Sequence, residues 1–145
     1  MTASRPSVLA DGASRQRPSP AVRAAAIVDV VLGVGFGSTA LIAIDHLART
    51  GELPMTPFGF RALEGPFVRQ ADDAVIALAW SLAGVCGAQI LAGIWLWQGR
   101  RRGAWLGLAA TPPALVLGAG FALPFLLIGA PASAALSWIG RRDLR

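Results

Sequence analysis

The amino-acid sequence predicts an all-α integral membrane protein. The expected form is a four-helix bundle with both termini in the cytoplasm and a long extracytoplasmic loop between the first and second helices. Three observations carry this expectation. Of the 145 residues, 54% are hydrophobic and only 14% are charged, against about 25% charged in an ordinary soluble domain. Apolar stretches long enough to cross a bilayer recur along the chain. Arginines cluster at the ends of those stretches, mostly on one side.

Residues 1–23, rich in Ser, Pro, Ala and Arg without a hydrophobic period, read as a flexible basic tail. The apolar run 24–44 that follows is longer than the ~7–15-residue core of a secretory signal. It holds Asp29 and ends without a small-residue cleavage motif, so it is expected to stay as the first span. Residues 45–73 form the outer loop, with a turn-rich aromatic centre from Leu53 to Phe60. Asp72 or Asp73 is the expected N-cap of a second helix over 74–98.

The block Gly99-Arg100-Arg101-Arg102-Gly103 separates that helix from an uncharged stretch over 104–139. At ~1.5 Å per residue this stretch would extend about 54 Å, nearly two hydrocarbon cores of ~30 Å. Two helices, 104–120 and 124–140, joined by a tight turn, are the simplest solution. A re-entrant hairpin has the same charge pattern. Pro112 and Pro113 free the carbonyls of Leu108 and Ala109, which then need a neighbouring helix, a hydroxyl such as Thr111, or water.

Charge sets the orientation. The inner segments carry ten arginines against two acids, and the outer loop carries three arginines against five acids. Trp95, Trp97, Trp105 and Trp138 fall at the inner ends of their helices and Trp80 near an outer end, as interfacial belts require. The arginine-only basic set, with much Ala and Gly, fits a GC-rich bacterial genome and the inner membrane. A pI near 11.5 raises nucleic-acid binding. Because the arginines hug helix ends, the expected partners are instead anionic lipid headgroups at Arg100, Arg101, Arg102, Arg141 and Arg142. With one Cys and one His, neither in a ligand spacing, no metal or other cofactor is expected.

Asp29 is the sharpest functional candidate. A carboxylate facing acyl chains at the bilayer centre costs about 3 kcal/mol, and four-residue steps link Asp29 to Gly33 and Gly37 on one helix stripe. It is therefore expected to point into the bundle. There it would bind a proton or cation, or else pair with Arg23 or the Arg100–Arg102 block. Gln89, deep in the second helix, is the other intramembrane polar contact, expected to hydrogen-bond across helices. The small residues Gly33, Gly37, Ser81, Gly84 and Ala88 are expected to pack helices closely, within the bundle or in a homodimer. Ala77 and Ala92 extend that stripe on the second helix, and Ala110, Ala114, Gly118 and Ala122 form another on the third. Phe58, Phe60 and Phe67 make the outer loop too apolar for a spacer, so they lie on the membrane surface, cap the bundle or dock a partner protein. Asp45-His46 has no nucleophile beside it and reads as a solvated helix end.

From Ala24 to Arg145, the size, the helix count and the Pro/Phe loop resemble small four-helix bacterial inner-membrane proteins of unknown function, including those with an outer loop between spans one and two. Small multidrug-resistance transporters are similar in having four short spans and an acid in the first. They have a glutamate and short loops, where this chain has Asp29 and a long loop, so their activity is not carried over. No nucleophile, base and oxyanion donors are assembled, and no catalytic residue is expected. The leading expectation is an accessory or scaffold subunit, or a small oligomer. A proton-coupled transporter using Asp29 is the alternative, and a membrane-embedded enzyme using Asp45 and His46 is the third class.

Overall fold

Proline and glycine punctuate the helices. Pro20 opens α1 (Pro20–Thr50), where its fixed φ suits the first turn, and Gly51 ends it at φ 73°. Gly99, at φ 72°, closes the turn between α2 (Asp72–Trp97) and α3 (Arg101–Gly120). Pro124 opens α4 (Pro124–Gly140). Short 3-10 turns occupy Pro66–Arg69 and Arg141–Asp143. This computed structural model describes residues 18–56, 59 and 61–144. Three helices, α1, α2 and α3, are long and apolar enough to cross a membrane. α4 is an apolar helix of 17 residues.

The four helices form a square in which α1 packs on α2 and α4, and α3 packs on α2 and α4. Their lengths are unequal, at 31, 26, 20 and 17 residues. At ~1.5 Å per residue α1 is about 46 Å long and α4 about 26 Å. The first hairpin therefore stands above the second, and residues 61–71 of the connecting loop fold into the step. Leu53, Ala62 and Leu63 are buried there, and the Phe67 ring meets Phe121 edge-on at 5.4 Å. Leu63 holds φ 58°, a left-handed conformation that costs a branched side chain about 1 kcal/mol and persists because its side chain is buried in the cap. At the opposite end Leu144 is 2% exposed and packs with Val22, Ala25, Leu96 and Ala104. Arg101 Nε fixes it by donating to the Leu144 carbonyl at 2.8 Å.

Several sequence expectations need correction. Residues 45–50 continue α1 rather than opening the loop. Arg49 donates to Asp45 one turn away, Ala43, Ile44 and Leu47 still pack inward, and nothing breaks the helix before Gly51. Residues 20–23, placed in the tail, are already helical. Ala71 is the N-cap of α2, which begins at Asp72, and Asp73 lies in its first turn, where an acid complements the helix dipole. The Thr111 hydroxyl bonds the Gly107 carbonyl at 2.8 Å, not the carbonyls that Pro112 and Pro113 free, and α3 runs unbroken through both prolines.

The inward face of α2 also differs from the expected stripe. Val75, Ala79, Leu82, Cys86, Gln89, Gly93 and Leu96 are buried, alternating four- and three-residue steps as a helix seam does. Ala77, Ser81 and Gly84 face outward, Ala88 is half-buried, and of the expected stripe Ala92 alone is fully buried. A Cβ built on Gly84 meets nothing within 4 Å. On α3 the stripe does turn inward, with Ala110, Ala114 and Gly118 buried, whereas Ala122 lies exposed in the following turn.

Candidate functional site

Asp29 sits where all four helices converge. It is 2% exposed, and its Oδ1 accepts a hydrogen bond from the Ser133 hydroxyl of α4. A Cβ on Gly107 of α3 would lie 3.6 Å from Oδ2, and a Cβ on Gly93 of α2 would lie 3.2 Å from the Asp29 Cβ. Glycine at 93 lets α2 approach the backbone of α1 beside Asp29, whereas the Gly107 distance is an ordinary contact. Oδ2 itself is buried without a hydrogen-bond partner. A buried acceptor without a partner is costly in a low-dielectric interior.

The sequence suggested Arg23 or the Arg100–Arg102 block as partners for Asp29. The fold uses these arginines elsewhere. The Arg23 guanidinium lies over the Trp97 ring at 4.9 Å, Arg101 holds the Leu144 carbonyl, and Arg100 and Arg102 are exposed. Among the described residues the one ion pair is Arg49–Asp45, at 2.9 Å on the surface. Exposed pairs of this kind contribute little. His46 is exposed beside it.

Gln89 is also 2% exposed, and its Oε1 has no partner. The cross-helix hydrogen bond expected of it is not formed through that oxygen. Ser133 and Ser137, one turn apart on α4, complete the buried polar set among the described residues. Sequence reasoning missed both serines. Their four-residue spacing on an apolar helix was the available signal, and nothing in it pointed to Asp29, which lies 104 positions away.

Several glycines sit at contacts between helices of the bundle. A Cβ on Gly33 would lie 2.7 Å from the Cys86 carbonyl and 2.6 Å from the Ile90 side chain, and one on Gly37 would lie 3.2 Å from the Cys86 Cβ. A Cβ on Gly103 would lie 2.6 Å from the Leu96 nitrogen. Gly33 and Gly37 thus sit at the contact of α1 with α2, and Gly103 at the contact of α3 with α2. Cys86 is fully buried at the first of these contacts. Phe67 caps the bundle against Phe121 and Gly120, whereas Phe58 and Phe60 lie outside the described residues. Arg100, Arg101, Arg102, Arg141 and Arg142 are all exposed at one end of the bundle, around the α2–α3 turn and the end of α4. Among the described residues no three His, Cys, Asp or Glu side chains gather where they could hold a metal ion.

Comparison with protein-family models, with curated proteins and with solved structures gave no match.

Proposed function

We propose that this chain is a multi-pass protein of the bacterial cytoplasmic membrane, with both termini in the cytoplasm, that serves as a non-catalytic accessory or scaffold subunit. The observation that carries this reading is the outward face of α2. Ala77, Ser81, Gly84 and Gly87 present an exposed strip of small residues beside Trp80 and Leu91, and nothing among the described residues covers it. In lipid, association of helices relies on close packing, and small residues permit it. The other outward faces carry Ile27, Val31, Val34, Val116, Phe125 and Ile128, which suit acyl chains. The concentration of arginine at the end holding Leu144 supports the orientation.

Gly84→Leu tests the reading, because the new side chain meets empty space within this chain. Native mass spectrometry after gentle detergent extraction should find the wild-type chain with a stoichiometric partner, or as a small oligomer. Gly84→Leu should leave a folded monomer. A wild-type chain that is monomeric at every detergent concentration would remove the scaffold reading.

A second reading rests on one atom, the unpartnered Oδ2 of Asp29. A proton-coupled transporter for a small solute would load and release its proton there, with Gln89 lining the route. Vesicles containing the protein would then show solute flux driven by a pH gradient, and Asp29→Asn would abolish it while expression persists. Absence of flux across a panel of small cations and amines would leave the scaffold reading alone.

A further inference from the structure

Glycine determines where the bundle opens. At the arginine end, Gly103 draws α3 onto the backbone of α2, where a Cβ would lie 2.8 Å from the Ala92 carbonyl. Gly140 likewise brings the end of α4 onto Val22 of α1 and its N-cap Ser19. Each helix of the second hairpin is pulled toward its neighbour in the first, so α3 and α4 part at this end. The gap is a cavity of about 310 Å³. Trp105 and Leu108 of α3 and Trp138 of α4 make its apolar walls, and Arg101, Arg141 and Arg142 also line it.

Two of these cations are held in place. Arg101 Nε donates to the Leu144 carbonyl at 2.8 Å, and the Arg141 guanidinium lies 3.6 Å from the centre of the Trp138 ring. Arg142 is exposed. Across 100–102 and 141–145 the chain carries six arginines against the single acid Asp143. Guanidinium groups bind phosphate through paired donors, and tryptophan rings sit at headgroup depth. Basic pockets between membrane helices on the cytoplasmic side are suited to anionic headgroups.

We propose that this cavity is a binding site for one anionic phospholipid of the inner leaflet. Its phosphate rests on Arg101, Arg141 and Arg142, and its acyl chains run down between Trp105, Leu108 and Trp138. The inference rests on the membrane orientation proposed above and deepens it, from arginines spread over a charged surface to one shaped site.

The test compares two charge-matched double variants of the full-length protein by native mass spectrometry. Arg141→Gln with Arg142→Gln removes two cations from the cavity, and Arg100→Gln with Arg102→Gln removes two outside it. Samples are titrated with phosphatidylglycerol or phosphatidylcholine in detergent. The cavity pair should weaken retention of one phosphatidylglycerol at least tenfold and the outer pair less than about twofold, with phosphatidylcholine retained weakly by all. Arg101→Lys, which keeps the charge but loses the planar fork, should give an intermediate loss. Equal weakening by both pairs would overturn the site in favour of diffuse electrostatics. Displacement of the lipid by millimolar glycerol phosphate would assign the cavity to a soluble anion and also overturn it. Helical content by circular dichroism identifies any variant that fails to fold, and Arg101→Lys then decides. Pelleting with membranes is scored separately, so loss of the lipid site with intact membrane association would leave the membrane reading standing.

Discussion

The two hairpins of this bundle are closed by opposite means. α1 and α2 meet backbone to backbone, because Gly33 and Gly93 lack the side chains that would keep them apart. A Cβ on Gly93 would lie 2.7 Å from the Ala26 carbonyl. α3 and α4 meet through side chains. A Cβ on Gly118 would find only Leu126 and Leu127 side chains, at 3.4 Å and beyond, which is ordinary contact. At Gly33 and Gly93 the first hairpin has no room for an added methyl group, whereas the second has room at Gly118. The arginine-lined cavity lies between α3 and α4 at one end, and the loop covers Phe121 at the other.

The largest effect should come from putting the same methyl group into each hairpin. Gly33→Ala must displace backbone and should destabilise by about 1–3 kcal/mol, as overpacking does. Gly118→Ala should be neutral or slightly stabilising, because alanine favours helix by about 1 kcal/mol over glycine. Unfolding in a mixed-micelle SDS titration measures both, and equal midpoints for the two variants would erase the distinction between the hairpins.

Asp29 ties the hairpins together through Ser133, so its removal should come next. Asp29→Leu leaves the Ser133 hydroxyl without its partner and crowds Gly93 and Gly107, a loss of about 2 kcal/mol. Asp29→Asn keeps an acceptor and should lose about half as much. The same titration reads both, and a more stable Asp29→Leu would show that the carboxyl group is not a structural tie. Phe67→Ala uncovers Phe121 at the top of the second hairpin and should cost about 1–2 kcal/mol. Hydrogen exchange should then quicken over 118–124 and not over 80–90. If exchange quickens equally in both segments, Phe67 is not specific to the shorter hairpin.

The smallest effect expected is a gain. Ala122 joins α3 to α4 at φ 50°, where glycine is at ease. Ala122→Gly should stabilise the turn by about 0.5–1 kcal/mol, visible as a small upward shift in the thermal midpoint. A downward shift would mean that the Ala122 methyl group is itself packed.

These particulars show what was legible in the chain. Helix number and the placement of Asp29 inside the bundle followed from hydropathy and from the cost of a carboxylate in lipid. The length of α1 did not, because a hydropathy window stops at Asp45 whereas the helix stops at Gly51. The inward face of α2 was misread for a different reason. On a helix apolar all round, periodicity does not distinguish inside from outside, and Ser81 and Gly84 face away from the bundle interior rather than packing within it. The partner of Asp29 was beyond reach, since no spacing rule connects α1 to a serine on α4. The step between the hairpins, and with it the role of Phe67 as a cap, emerges only once the unequal helices stand side by side.

Threading through the membrane is the claim on which the rest turns, and single cysteines placed in a Cys86→Ala background test it most directly. The exposed positions Glu52, Arg102 and Arg142 are each replaced by cysteine, and intact cells are treated with a membrane-impermeant maleimide. The account predicts labelling at 52 alone, with 102 and 142 reacting only after the cells are permeabilised. Labelling of 142 in intact cells would put the end of α4 outside and contradict the four-span arrangement.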